Sequence, residues 1–173
     1  MTRTSSARLA RAAAATLIAL AGSATRSIAA GPSSPPDTVI DLPAGVACSF
    51  PLRVEIWNNT NRVFKEFTDK NGNVVRILTA GKGNTLAFTN LLTGETVQLK
   101  ANGAVEHITL NADGSQTWEV TGHNVLILFP TDVPAGPSTT LYVGRVVFTV
   151  DTSGTFTLQS TSGTATDICA ELQ

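Results

Sequence analysis

Two cysteines, two histidines, one tyrosine and one methionine are all that 173 residues offer of those types. There is no C-x-x-C pair, H-E-x-x-H helix, G-x-S-x-G elbow, phosphate-binding P-loop or paired-glycine dinucleotide fingerprint. The chain therefore carries none of the familiar metal centres, nucleophile elbows or nucleotide cradles. No cofactor and no metal are expected. Lysines and arginines are scattered singly, which provides no basic patch for a phosphate backbone and sets nucleic acid aside as a partner. No stretch shows convincing helical spacing of its apolar residues.

The first thirty residues read as an address. Arg3, Arg8 and Arg11 form a positive n-region, AAAATLIALA over 12–21 an apolar h-region, and Ser27 with Ala29 the small residues of a cleavage site, so residues 1–29 are expected to be a secretory signal peptide. The apolar run is too short to span a bilayer, which needs about 20 residues, and no second one follows. A secreted, extracellular protein with no membrane attachment after cleavage is expected. Loss of Arg3, Arg8, Arg11 and Arg26 leaves eight basic residues against thirteen acidic ones, a net charge of −5. Residues 30–46 contain the proline-rich GPSSPPDTVIDLPAG and read as an extended leader, in which TVIDL is able to pair as an edge strand. Residues 47–173 are of one composition and size for a single domain.

Export decides the chemistry of the cysteines. In an oxidising compartment two thiols oxidise, and with two only one intramolecular connectivity exists, so a Cys48–Cys169 disulfide is expected. It closes a loop of about 120 residues, for which loop-closure entropy gives an upper bound near 5 kcal/mol.

Between the cysteines the chain is punctuated by DKNG (69–72), NADG (111–114) and DTSG (151–154), each with the glycine that a type I turn plus left-handed residue requires. LLTG (91–94) and KANG (100–103) are close relatives. The intervening segments are rich in Val, Ile, Thr, Phe and Trp with period-two alternation, which predicts hairpins. Turn length fixes register. DTSG pairs Val150 with Phe156 and Phe148 with Leu158, and NADG pairs Ile108 with Trp118, Thr109 with Thr117 and His107 with Glu119. DKNG sets Glu66 opposite Arg76. An Asn102-Gly103 turn sets Val97 opposite Ile108 and Gln98 opposite His107. Strands are expected near 50–57, 62–68, 74–80, 85–91, 95–101, 104–110, 115–121, 124–129, 141–150, 155–161 and 164–170. The fold class is all-β, an antiparallel meander of about ten or eleven strands forming a barrel or a two-sheet sandwich, its termini joined by the disulfide. Eleven strands joined only by tight hairpins would leave the cysteines at opposite ends. The proline-bearing PTDVPAGPSTT (130–140) is the expected crossing that breaks this parity, and a final segment that is not a strand would serve equally well.

Four residues stand out as weak candidates for function. Glu106 shares a face with Ile108, Leu110, Trp118 and Val120, so its carboxylate points coreward near the Asn102 end. There Glu106, Asn102 and His123 would converge, and a partly buried Glu is a candidate acid or base. A rim Glu reaching solvent is the plainer reading. His123 lies in the short turn TGHN, and His107 reads as half of a cross-strand pair with Glu119. DKNGN lacks the spacing and distal Glu of a calcium loop. Trp57 alternates with Arg53 and Glu55, and such an outward Trp can stack on a carbohydrate ring or anchor a protein partner, burial under a loop being the alternative.

FPLRVEIWNN, DKNGNVVRILTAG, GHNVLILFPTDVPAGPSTTLYVGRVVFTVD and the terminal DICAEL resemble small secreted proteins of high-GC Gram-positive bacteria. The resemblance implies an extracellular bacterial origin and carries over no functional residue. Three functions are compatible with the residues. A secreted non-catalytic binding or interaction domain, using Trp57 and the 130–140 loop, is preferred. The alternatives are a carrier of a small apolar ligand inside a barrel, and a small hydrolase or isomerase using Glu106 and a histidine.

Overall fold

The tight turns close as their residues demand. In the computed structural model, which describes residues 32–173, the amides of Gly72, Gly114 and Gly154 donate to the carbonyls of Asp69, Asn111 and Asp151 at 3.0–3.1 Å, each glycine at φ of +85° to +87°. Asp69 Oδ1 and Asp151 Oδ1 each accept two further backbone amides inside their turns. The expected leader over 1–29 lies outside the described residues. Ten strands follow: β1 (Thr38–Leu42), β2 (Leu52–Trp57), β3 (Arg62–Thr68), β4 (Val74–Lys82), β5 (Thr85–Asn90), β6 (Thr96–Leu99), β7 (Gly103–Leu110), β8 (Gln116–Leu128), β9 (Ser138–Val150) and β10 (Phe156–Asp167). A four-residue helix α1 (Ile168–Glu171) ends the chain.

The strands form two antiparallel sheets, ordered β1-β2-β5-β6 and β10-β9-β8-β7-β4-β3, with no closed barrel. The DTSG and NADG registers stand as the turns imply, with Phe148 opposite Leu158, Ile108 opposite Trp118 and His107 opposite Glu119. TVIDL is β1, an edge strand paired with β2.

Four expectations need correction. At DKNG the turn is right but Val75 is an extra residue on β4, so Glu66 faces Ile77 and Arg76 faces Phe67. The Arg76 guanidinium lies over the Phe67 ring at 4.5 Å, a cation–π contact that the bulged register permits. KANG is not a hairpin. β6 pairs only with β5, and β7 sits between β4 and β8, so Lys100–Asn102 is a crossover between sheets and Val97 does not meet Ile108. Third, 130–140 does not cross from end to end. Leu128 pairs with Ser138, so the segment is a long hairpin loop, fastened to β10 by Asp132, whose Oδ1 and Oδ2 accept the Phe156 and Phe129 amides. Fourth, 115–121 and 124–129 are one strand, as are 155–161 and the first part of 164–170, whose last residues turn into α1.

These long strands are possible because of glycine. Gly163, Gly144, Gly122, Ala104 and Gly81 stand opposite one another in a row across five strands, and Gly81 faces Arg62 of β3. All four glycines have φ between +96° and +151°, a region that L side chains rarely adopt. A Cβ on Gly122 would strike the Gly103 carbonyl, one on Gly144 the Ser162 carbonyl, one on Gly163 the Val143 carbonyl and one on Gly81 the Asn61 carbonyl. The sheet creases along this row. Leu126 packs on the cluster of Val120, Val146 and Phe148, yet six residues of flat strand would separate it from Val120 by roughly 20 Å.

The crease divides the core. Val120, Val146 and Phe148, with Trp118 and Phe156 stacked on either side of Phe148, fill one cluster. Ala47, Cys48, Phe50, Leu52, Val54, Phe88, Ile168, Cys169 and Leu172 form the other, against which Val125, Ile127 and Leu141 from β8 and β9 pack. Asp167 caps α1 by accepting the Ala170 amide, and the buried Asn90 amide donates to the Leu172 carbonyl at 3.1 Å. With β10 delivered beside the start of β9, α1 turns into the core. There Cys169 is bonded to Cys48 across 121 residues, with Cα atoms 5.6 Å apart. Thr139 Oγ1 of β9 donates to the Ala47 carbonyl alongside. Parity is thus broken by three sheet crossovers and a terminal helix. Among the described residues no helix is long and apolar enough to cross a membrane.

Two outcomes test this account. Gly122→Ala and Gly144→Ala should each lower unfolding free energy in urea by about 2 kcal/mol or more, whereas Gly154→Ala, at φ +87° with open space around it, should cost about 1 kcal/mol. The second concerns acid. Hydrogen bonds from Asn73 to Asp69, Ser115 to Asp113 and Ser153 to Asp151 hold these exposed carboxyls below the usual carboxylate range. The unfolded chain therefore binds more protons than the folded one as pH falls below about 4. Their contribution is complete above that pH and lost as pH falls through the lowered folded values. Thermal melts from pH 6 to pH 2 should show a shallower acid decline for the triple Asp→Asn variant than for the native chain.

Candidate functional site

All three sheet crossovers lie together. The Gly83 amide donates to the Asn102 carbonyl at 2.8 Å, the Asn59 amide to Asn84 Oδ1 at 3.1 Å and the Lys82 amide to the Asn61 carbonyl at 3.3 Å, so the β2–β3, β4–β5 and β6–β7 connections brace one another. Asparagine supplies much of this bracing because its short amide serves backbone groups in turns. Below the crossovers a cleft of about 410 Å³ opens between the creased sheet and the β5–β6 hairpin. That is within the range of small-molecule sites, roughly 300–1,000 Å³.

Its floor is apolar: Trp118, Val120, Leu126 and Phe148 on the creased sheet, with Leu86 and Leu99 opposite. Its rim carries Arg62, Lys100, Asn102, Glu106, His123 and Asn124. Glu106 is half-buried and its Oε1 accepts from Arg62 Nη2 at 2.6 Å. Arg62 retains further N–H donors, since a guanidinium has five. Lys100 and His123 enter no ion pair among the described residues. Asn124 lines the cleft, and its Nδ2 is shielded from solvent without a hydrogen-bond acceptor, a desolvated donor at a cost of order 1–3 kcal/mol.

The structure thus brings Asn102, Glu106 and His123 to one cleft and leaves Trp57 outside it. Trp57 is half-buried, and its indole N–H donates to the Ser34 carbonyl at 2.9 Å, which ties down the segment before β1. His107 is on the opposite face of the sheet from Glu106, beside Glu119, whose carboxylate takes its principal bond from Arg145 at 2.7 Å. That bond holds the Glu119 carboxyl below its usual range, with His107 a lesser influence. The barrel interior imagined for an apolar ligand does not exist, because no barrel closes.

Sequence reasoning missed Arg62, Lys100 and Asn124. Asn124 was the detectable one, as the only amide in the otherwise apolar run NVLILF. The cleft lining includes one carboxylate, one imidazole and no hydroxyl or thiol. The bond from Arg62 engages Glu106 Oε1 and leaves Oε2 outside it. Among the described residues, no group of three His, Cys, Asp or Glu side chains is placed to hold a metal.

No protein-family model, curated protein or solved structure matches this chain.

The Arg62–Glu106 pair belongs to the rim and not to the scaffold. Glu106→Gln should therefore lower unfolding free energy by no more than about 1 kcal/mol, as measured by urea titration, with an unchanged far-ultraviolet circular dichroism spectrum.

Proposed function

We propose that this is an exported, non-catalytic binding protein of a bacterium, and that the cleft takes a small amphiphile with an apolar body and an acceptor-bearing, anionic head. The observation that carries the reading is the solvent-shielded, unsatisfied Asn124 Nδ2 in the wall of an apolar-floored cleft. A buried donor without a partner carries a cost, and rotation of the Asn124 side chain toward the cleft would let an incoming acceptor relieve it. The charges point the same way. Glu106 already has its counter-ion in Arg62, whereas Lys100 has none among the described residues, so the rim is short of negative charge. Trp118 and Phe148 would take the apolar body.

Export is supported by the n-region, h-region and cleavage-site pattern of residues 1–29 and by a disulfide suited to oxidising surroundings. The resemblance to secreted proteins of high-GC Gram-positive bacteria supports the origin. A protein or carbohydrate partner at Trp57 has less support, because that indole is bonded to Ser34.

Trp118 provides a built-in reporter once Trp57→Phe removes the other indole. Titration with decanoate should change its fluorescence saturably, while decanol, with the same chain and no charge, should bind more weakly. Lys100→Glu should weaken decanoate binding by about tenfold. Asn124→Leu should also weaken it while raising unfolding free energy, since it removes an unpaired buried amide. Absence of a saturable response, or a response unaffected by both substitutions, rules the proposal out.

A further inference from the structure

Strand β3 is the uncovered edge of the six-stranded sheet, and its sequence RVFKEFT exposes Val63 to 67% and Phe64 to 61%. An edge strand presents unpaired backbone donors and acceptors, and natural proteins ordinarily shield such an edge. The opposite edge is covered at the start of β10, where the loop after β8 bridges it through Val133 and Thr157, with Leu158 donating to the Val133 carbonyl. β3 has no such cover. Lys65 and Arg76 flank the Phe67 ring, but Val63 and Phe64 stand open on opposite faces of the strand.

We infer that β3 pairs antiparallel with β3 of a second copy of this chain, about a two-fold axis at Phe64, joining the two six-stranded sheets into one. Symmetry restricts the choice. A two-fold axis perpendicular to a sheet keeps every side chain on its own face, so the residue at the axis must meet itself and its neighbours pair symmetrically about it. Centring on Lys65 or Glu66 would set like charges opposite each other. Centring on Phe64 places the two Phe64 rings together, Arg62 opposite Glu66 of the second copy, and Glu66 opposite its Arg62. It is the register within β3 that brings opposite charges face to face with both partners inside the strand. Val63 then lies along the aliphatic stem of Lys65 of the second copy. Arg62 keeps donors for this pairing beyond the one held by Glu106. The edge strands of the other sheet lack this pattern: β1 centred on Ile40 would set Asp41 opposite Val39, with Asp41 already bonded to Arg53, and β6 carries no charged residue.

One strand pair makes a small interface, so the dimer is expected to be concentration-dependent. Sedimentation equilibrium of the purified protein should show the mass rising from one chain toward two. Phe64→Lys and Glu66→Arg, both on exposed positions, should each raise the dissociation constant at least tenfold with unchanged thermal melts. Phe64→Cys should yield a disulfide-linked dimer under mild oxidation, because its Cβ atoms would approach to about 5 Å across the axis. A single-chain mass at every concentration overturns the inference, as does a dimer indifferent to Phe64→Lys and Glu66→Arg, or a Phe64→Cys protein that does not cross-link.

Discussion

Where Gly81, Gly122, Gly144 and Gly163 stand in register, neighbouring backbones come closer than any side chain would permit. The crease they allow has several consequences. It lets single strands of twelve or thirteen residues serve two cores, with Leu126 turned toward the Val120 cluster and Val125 and Ile127 toward the disulfide cluster. It also creates the concavity whose apolar floor and crossover rim form the cleft. A methyl group on any of these four glycines would meet a carbonyl oxygen, so the bend is maintained by the absence of side chains as much as by any attraction.

The disulfide has a different task. Sheet crossovers leave the start of β2 and the end of β10 near one another only because β9 bridges them, with its Thr139 bonded to Ala47 and its first residues paired with the last of β10. Joining Cys48 to Cys169 then removes entropy from the unfolded chain over most of its length, which is where a cross-link between distant residues acts. The bond secures a topology that it does not create.

The cleft sits beneath mutually braced backbone connections and is lined by a residue with an unsatisfied donor. Three connections brace one another through asparagine and backbone bonds, so the rim is preorganised, whereas Asn124 inside it is left unpaired. A braced rim beside one unpaired donor is the arrangement on which the proposed binding of an acceptor rests. The exposed edge of β3 is separate from this logic. It concerns what sheet geometry leaves unpaired, and Arg62 is the one side chain that touches both surfaces.

Local chemistry alone determined the all-β class, the hairpins at NADG and DTSG with their registers, and the pairing of the two cysteines, because turn type and alternation act over a few residues. It also determined that Glu106 points coreward, since strand parity follows from register. Tertiary structure decided the rest. The same kind of turn signal at KANG became a crossover because β4, not β6, is the neighbour of β7, a choice made by which apolar faces bury together. The bulge at Val75, which sets Arg76 over the Phe67 ring, is not implied by the turn residues. The glycine row was invisible for the same reason. Gly122 meets Gly144 only through the register of the long β8–β9 loop, and Gly144 meets Gly163 only after a slip between Leu158 and Ser160. Pairings set by packing at a distance leave no local trace in the residues that make them.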